Sequence, residues 1–383
     1  MTRPGVQSEP SSGQLLLLRA ALGQGAESIT AWEEWERDYG LDAPDEGSYR
    51  LLPLVHRNLL ALGYAGPHAN TLKGIHRRAW AGNQALFSQV RPVIEELRAE
   101  GIPVLLLKGV ALAYRYYPDS GCRPMRDVDI LVPSDRARAL CRKLEEGGWR
   151  ALYWRPRALR PSFFQFRHAI DYEHPSGGRV DAHWHALNLC CHPAFDELFW
   201  KYAEGMDFLG VPVRTCHATE HLLEVCAHGI VYSPVPPVRW VADALLLLRA
   251  ERNLDWERLV RTARGFDIAP YVWPALELLR TKFDAPVPAE ALRELERAPV
   301  SAAVGAEFLR DTAPFEPRTA FQDLLAFYSR WRRSLGGAPP VKRWPGFARY
   351  LQYAFELESL WALPWQLARS AFRRAFHDPA APM

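Results

Sequence analysis

Three aspartates at strand-like positions are the residues of this sequence best suited to chemistry. Asp127 and Asp129 lie two apart in the alternating run Arg126–Val132, so both carboxylates are expected on one face of a strand. Carboxylates held this close repel each other unless cations neutralise them, and oxygen ligands at this spacing suit Mg²⁺. Asp181 stands in a second alternating run and could complete a two-metal site for phosphoryl transfer. Ordinary strand-end acids are the alternative for so short a motif.

Lys108 is the second residue with a chemically informative position. It follows the apolar run Val104–Leu107 and precedes Gly109, where we expect a buried strand to turn into a helix. Free N–H groups at the start of a helix favour a bound phosphate. A lysine directly after four apolar residues needs an anion beside it, which is either a nucleotide phosphate or a nearby aspartate.

The elements around these residues predict an α+β protein, with a small mixed β-sheet embedded in a largely α-helical chain. Residues 104–146 follow the order strand, helix, strand, helix, and the runs His168–His174 and Arg179–His185 are typical of a β-hairpin. We expect five regions: a flexible tail (1–14), an N-terminal helical region (15–100), the sheet core (101–192), a helical domain that completes the cleft (193–335) and a C-terminal helical segment (336–383).

Composition narrows the class of protein. A length of 383 residues exceeds one ordinary hydrophobic core, and 48% hydrophobic with 24% charged residues excludes a disordered or fibrous chain. A net charge of +3 is too small to indicate nucleic-acid binding. Six cysteines without a C-x-x-C pair argue against a disulfide scaffold. The apolar runs are too short to cross a bilayer, so we expect a cytoplasmic protein.

The aromatic-rich segment Trp344–Phe376 raises the question of membrane contact. Its Trp, Phe, Leu and Arg residues follow helical order, which would suit a membrane surface or a partner helix. Glu356 and Glu358 interrupt the basic face that anionic lipid would need. Burial against other helices is therefore the favoured interpretation, and peripheral membrane contact is not expected.

Four separated motifs carry a resemblance to a known family. They are LLLKGVALAYRYYPDSGCRPMRDVDILV, RVDAHWH, HLLEVCAHG and RWVADALLLL, within residues 80–265. In this order they resemble a family of bacterial nucleotidyltransferases in the DNA polymerase β-like superfamily. The resemblance implies a nucleotidyltransferase sheet in which Asp127, Asp129 and Asp181 hold two Mg²⁺ ions. Lys108–Gly109 stands where such proteins usually have a Gly-Ser pair, so the triphosphate contacts are less defined than the metal site.

The same resemblance implies roles for five further residues. Arg123 and Arg126 resemble its R-x-x-R-D pattern and would bind phosphate oxygens, with surface ion pairs as the alternative. His228, Arg239 and Asp243 would line the cleft opposite the sheet, where they would contact the base, the ribose or the acceptor. An i, i+4 ion pair is the alternative for Arg239 and Asp243.

His183 shares a strand face with Asp181. We interpret it as a residue that orients the acids without binding metal, and a packed strand histidine is the alternative. The nearby sequence also contains His185, Cys190, Cys191 and His192. Their H-x-H and C-C-H spacing does not match common zinc patterns, which argues against a zinc site.

The expected activity is transfer of an NMP group, with ATP as the expected donor, to an acceptor hydroxyl or phosphate by a two-Mg²⁺ mechanism. Asp181 is expected to help deprotonate the acceptor as well as to bind a metal. The acceptor, a small molecule, a peptide or a protein, has no signature in the sequence. The alternative is a non-catalytic nucleotide- or partner-binding protein, antitoxin-like or a scaffold, and the presence of all three acids argues against it.

Overall fold

The computed structural model describes residues 9–153, 160–233, 238–313, 318–335 and 344–376, and gives no side-chain placement for 344 and 370–376. Most of the predicted tail and the beginning of the predicted C-terminal segment lie outside these residues. The first helix begins at Ser12, inside the region predicted as tail, because Ser11 and Gln14 form a capping box that satisfies its first N–H groups.

The helices of the described residues are Ser12–Leu22 (α1), Ala26–Tyr39 (α2), Glu46–Ala61 (α3), Ala69–Ala99 (α4), Lys108–Tyr116 (α5), Ala137–Glu146 (α6), Pro161–Phe166 (α7), Pro193–Lys201 (α8), Ala218–Ile230 (α9), Arg239–Ala250 (α10), Trp256–Gly265 (α11), Ala269–Phe283 (α12), Ala289–Glu296 (α13), Ala302–Thr312 (α14), Ala320–Arg333 (α15), Trp344–Ala354 (α16) and Leu363–Phe376 (α17). The strands are Leu105–Leu106 (β1), Val128–Leu131 (β2), Arg150–Ala151 (β3), Ala169–Glu173 (β4), Arg179–His183 (β5), Glu204–Phe208 (β6) and Val211–Thr215 (β7).

The strands form one mixed sheet in the order β3-β4-β5-β2-β1-β7-β6. β2 runs parallel to β5 and antiparallel to β1, while β1 runs parallel to β7. The predicted hairpin is present as the antiparallel pair β4–β5. This sheet within a helical chain confirms the predicted α+β fold class.

The hairpin β6–β7 lies in the region that the sequence analysis assigned to helices, so the sheet extends beyond residue 192. A two-residue turn at Leu209–Gly210, both with positive φ, joins its strands as in a type I′ turn. Val211, Val213 and Thr215 are buried, whereas the residues between them are exposed. The strand period was therefore present in the sequence, and β7 completes the sheet beside β1.

The sheet separates two hydrophobic cores, and this separation decides where the aspartates point. Val128 and Ile130 of β2 pack into the core that also contains side chains of α4 and α6. Because strand side chains alternate, Asp129 projects from the opposite face, toward the side of the sheet where α9 and α10 lie. The helical part of the chain thus closes a space over the acids.

Gly229 sets the approach of α9 to α10. A Cβ atom at this position would lie 2.4 Å from the Trp240 ring, so only glycine allows the indole to pack here. The contact brings His228 of α9 and Arg239 of α10, each next to one of the packed residues, to the same cleft.

Candidate active site

Two of the three predicted acids face each other across neighbouring strands. The parallel register of β2 and β5 places Asp129 opposite Asp181. Asp129 is 5% exposed, Asp181 is half-buried, and Asp127, just before β2, is open to the cleft. Asp129 and Asp181, 52 positions apart in the sequence, therefore meet at one point of the sheet.

His183 lies between Asp129 and Asp181. Its Nε2 atom is 3.1 Å from Asp129 Oδ1 and 3.1 Å from Asp181 Oδ2, and the side chain is fully buried. Burial alone would lower the pKa of the imidazole, but the charge of Asp181 and the hydrogen bonds to both carboxylates raise it to about 9. The free protein therefore holds an imidazolium between the two acids at neutral pH.

Lys108 is the second cation among the acids. Its Nζ lies 2.9 Å from Asp129 Oδ1, which matches the predicted aspartate partner. Burial would lower the pKa of the ammonium, but Asp129 and Asp181 hold it above its ordinary value. The backbone at Lys108 has φ +40°, a left-handed conformation that is strained for a lysine and turns β1 directly into α5.

Lys108 and His183 affect the pKa values of the three carboxylates unequally. Burial would raise the pKa of Asp129, yet Lys108 and His183 lower it to about 2, and the same two side chains hold the pKa of Asp181 below its ordinary value. Loss of solvent in the cleft and then the charges of Asp129 and Asp181 raise the pKa of Asp127 to about 6. Asp127 is therefore the most basic of the three.

A cavity of about 420 Å³ opens above the acids, between the sheet and α9 and α10. It is lined by all the predicted site residues except Arg126 and His183, namely Lys108, Gly109, Arg123, Asp127, Asp129, Asp181, His228, Arg239 and Asp243. His228 faces the open space, and loss of solvent, followed by the Lys108 charge, lowers its pKa to about 4. The histidine is thus neutral and able to donate or accept a hydrogen bond.

The arginines predicted to bind phosphate differ sharply in their partners. Arg123 donates from Nε and Nη2 to the two oxygens of Asp243, each at 2.8 Å, in a buried pair that Tyr117 completes with its hydroxyl. Asp243 therefore pairs with Arg123 rather than with Arg239. Arg126 is exposed, pairs with Glu46 and lies outside the cleft, so its side chain does not reach the acids.

Arg239 is a cation of the cleft wall whose charge is poorly neutralised by its surroundings. Its guanidinium donates to the backbone carbonyl of Pro124. Burial, and then the neighbouring charge of Arg123, lower the pKa of Arg239 to about 10. The residue remains charged at neutral pH, and an anionic ligand in the cleft would relieve this unfavourable environment.

Gly109 allows the Arg123 guanidinium to approach the first turn of α5. A Cβ atom on Gly109 would lie 2.9 Å from Arg123 Nη1 and 3.2 Å from Met125 Sδ. The glycine of the Lys108–Gly109 pair is therefore needed for packing around the buried ion pair.

Three acidic or basic residues of this site were missed in the sequence. Glu224 of α9 lines the cleft fully buried, and burial raises its pKa to about 7. Among the residues that the structure describes, no side chain is hydrogen-bonded to either of its carboxylate oxygens. Arg50 of α3 lines the same cleft, and Asp171 of β4 lies opposite Asp181. Glu224 shares a helix face with His228 four residues later, a spacing that was visible in the sequence. The sequence around Arg50 contains no pattern that would assign it to this site.

The donor atoms fit a divalent cation. Ligand atoms of Asp129, Asp181 and His183 all lie within 4.8 Å of one another, and the open Asp127 carboxylate adds oxygen donors nearby. Carboxylate oxygens are the ligands that Mg²⁺ prefers, and a set of acids beside surplus cations also suits a metal-bound phosphate ester.

Comparisons with known proteins place this site within a family. The family model described as uncharacterised nucleotidyltransferase matches residues 48–284, well over half of the chain, and this span includes every residue of the cleft named above. No curated protein matches the chain. Within the described residues, no helix combines the length and apolarity needed to cross a membrane.

Proposed function

Because the chain belongs to the uncharacterised nucleotidyltransferase family, we propose that it moves an NMP group from a nucleoside triphosphate, with ATP as the donor, to an acceptor hydroxyl or phosphate. The observation that carries this proposal is the pairing of Asp129 with Asp181 on parallel strands, beneath a cleft that also contains Asp127, Lys108 and Arg239. Acids alone would repel a triphosphate, and cations alone would bind it without activating it. The combination suits phosphoryl transfer.

Asp127, Asp129 and Asp181 would hold two Mg²⁺ ions. When bound, the ions would neutralise the triphosphate and lower the pKa of the acceptor oxygen. The residues of the chain then have separate tasks. Lys108 and Arg239 bind phosphate oxygens, since both are charged and line the cleft. Arg123 holds the wall in place through Asp243 and does not need to contact the nucleotide.

The transfer step forms one bond and breaks one bond. The acceptor oxygen attacks the α-phosphorus, the bond from this phosphorus to the oxygen that bridges to the β-phosphate breaks, and pyrophosphate leaves. We assign the acceptor proton to Asp181, which lines the cleft and lies opposite Asp129 on the neighbouring strand.

Labelled nucleotide tests the proposal. The protein would be incubated with Mg²⁺, α-³²P-labelled NTPs and pools of small hydroxylated or phosphorylated molecules, peptides and the protein itself. We expect divalent-dependent transfer of label together with pyrophosphate release, and neither in Asp129→Asn. Tight nucleotide binding that is independent of divalent cations, with no pyrophosphate release from any pool, would contradict the proposal and favour a non-catalytic binding protein.

A further inference from the structure

His183 occupies the space between two carboxylates that a metal ion would also occupy. We propose that its imidazole is itself a metal ligand, so that one ion is bound by Asp129, Asp181 and the Nε2 atom of His183. The inference rests on the proposed function, because it concerns the composition of the same metal site. It assigns to His183 a direct role in place of the orienting role that the sequence indicated.

The distances between the donor atoms are the first support for His183 as a metal ligand. Nε2 of His183 lies 3.1 Å from one oxygen of Asp129 and 3.1 Å from one oxygen of Asp181. Adjacent ligands of an octahedral ion with bonds of about 2.1 Å lie roughly 3.0 Å apart, and those of a tetrahedral ion roughly 3.3 Å apart. Nε2 therefore lies from each of the two carboxylate oxygens at the distance expected between adjacent ligands of one ion, and all three ligand atoms lie within 4.8 Å of one another.

Hydrogen bonding alone accounts less well for this arrangement. A single Nε2–H group points along one direction, so it cannot make two well-aligned bonds to carboxylates on different strands. A cation placed among the three atoms interacts with all of them at once. Metal binding at this position would displace the Nε2 proton that the imidazolium carries in the free protein.

The other ring nitrogen is arranged as in known metal-binding histidines. Nδ1 of His183 lies 3.3 Å from the carbonyl oxygen of His185, to which its N–H can donate. The segment beyond it is fixed, because Asp196 bonds the His185 ring at 2.6 Å and the Ala186 N–H at 2.8 Å. Such a carbonyl partner holds the ring orientation and leaves Nε2 to present its lone pair to a metal.

A nitrogen ligand changes which metals the site selects. Imidazole favours transition metals, whereas Mg²⁺ prefers sites made of oxygen alone. We therefore expect Mn²⁺ and Co²⁺ to bind more tightly than Mg²⁺ in the absence of nucleotide. His183→Gln should weaken Co²⁺ binding about tenfold or more and Mg²⁺ binding less, by the same ordering of ligand preferences.

Pulsed electron paramagnetic resonance of the full chain with Mn²⁺ tests the inference directly. We expect a ¹⁴N coupling from a directly bound imidazole, replaced by a ¹⁵N pattern when the protein is grown with ¹⁵N-labelled histidine. His228→Gln and His168→Phe are the matched controls, since these histidines line the cleft or contact the His183 ring without touching both acids. Both variants should keep the coupling, and His183→Gln should lose it.

The outcomes separate the inference from the proposed function. Mn²⁺ that binds, is displaced by Mg²⁺ and is lost in Asp181→Asn, yet shows no directly bound nitrogen, would overturn the role of His183 and leave the proposed metal-dependent transfer standing. Loss of the coupling in a control variant would also overturn it. A protein that binds no divalent ion with or without nucleotide would overturn both. The wild-type spectrum decides the question even if His183→Gln does not fold.

Discussion

The Lys108 ammonium lies 2.9 Å from Asp129 and shares this carboxylate with His183. The Asp-x-Asp pair is therefore not a pair of equivalent repelling charges in the free protein. Asp129 is bonded directly to two cations, whereas the exposed Asp127 is affected by Lys108 and Arg239 through their charge at longer range, and the two positions should respond differently to the same substitution.

Neutralising Asp127 and Asp129 should affect stability in opposite directions. Asp127→Asn removes a charge that Asp129 and Asp181 repel more strongly than Lys108 and Arg239 attract it, and it should leave the metal-free protein as stable as the wild type or more so. Asp129→Asn leaves Lys108 and His183 buried without their shared acid and should destabilise it by about 3 kcal/mol. Urea denaturation at pH 7.5 measures both. Transfer of label should be lost in both, and equal stability of the two variants would contradict the assigned ion pairs.

Removing the Lys108 charge should weaken triphosphate binding more than monophosphate binding. Most of the charge of an NTP lies beyond the α-phosphate, so we expect a loss of about tenfold for NTP, or about 1.4 kcal/mol, and less for NMP. Lys108→Gly is the better substitution and Lys108→Ala the matched control, because φ +40° suits glycine and strains alanine. Calorimetry with both ligands decides, and equal losses would assign Lys108 a purely structural role.

Substitution of Arg239 should mainly weaken nucleotide binding, whereas substitution of Arg123 should mainly lower stability. Arg239→Met should reduce NTP affinity by about tenfold or more, or about 1.4 kcal/mol, with little loss of stability, since its side chain donates to the Pro124 carbonyl while Asp243 keeps its bidentate bonds from Arg123. Arg123→Met leaves Asp243 buried without its bidentate partner and should cost about 3 to 5 kcal/mol of unfolding free energy. Thermal melting and nucleotide titration of both variants would check this. Unchanged stability in Arg123→Met would be inconsistent with the buried pair.

Glu224 should make stability depend on pH. Its pKa rises from 4.5 in the unfolded chain to about 7 in the folded protein, so the folded state binds more protons between these values. Stability contributed by this group is therefore present below pH 4.5 and is lost as pH rises to about 7, by about 3 kcal/mol. Glu224→Gln should abolish this slope in denaturant melts.

A suitable control for Glu224 is Glu307, which is equally buried but bonded to Arg330 and Arg333. Glu307→Gln should lower stability at neutral pH because it breaks these ion pairs. If Glu224→Gln behaved like Glu307→Gln, the neighbouring Lys108 ammonium would stabilise the Glu224 carboxylate as the two arginines stabilise Glu307, and the predicted pH dependence would be wrong.

Local periodicity predicted much of the site, because alternation along a strand fixes which side chains share a face. It placed Asp127, Asp129 and Asp181 on strands or beside them, and Lys108 at a strand-to-helix turn. The same rule could have identified Asp171, because the antiparallel register of the hairpin β4–β5 puts it opposite Asp181. The sequence predicts the hairpin itself but not its register.

Long-range pairings could not be read from local patterns. Nothing near β2 indicates that β5 is its parallel neighbour or that β7 lies beside β1. Asp243 pairs with Arg123 and not with Arg239, although Arg239 is only four positions away in the sequence. The packing of α10 against α5 decides this pairing, which sequence spacing could not show. Glu224 was missed because α9 contains a second glutamate, Glu220, and only the fold shows which of the two lies beside Lys108.

The pairing of β1 with β7 sets the order in which the cleft can form during synthesis. β1 and the three acids are synthesised within the first 181 residues, but β7 ends at Thr215 and α10 at Ala250. At roughly 5 to 20 residues per second, several seconds pass before the remaining wall is made. Throughout that interval Arg123 has no Asp243 to pair with. The nascent chain therefore contains the three acids before the cleft that would bind a nucleotide has formed.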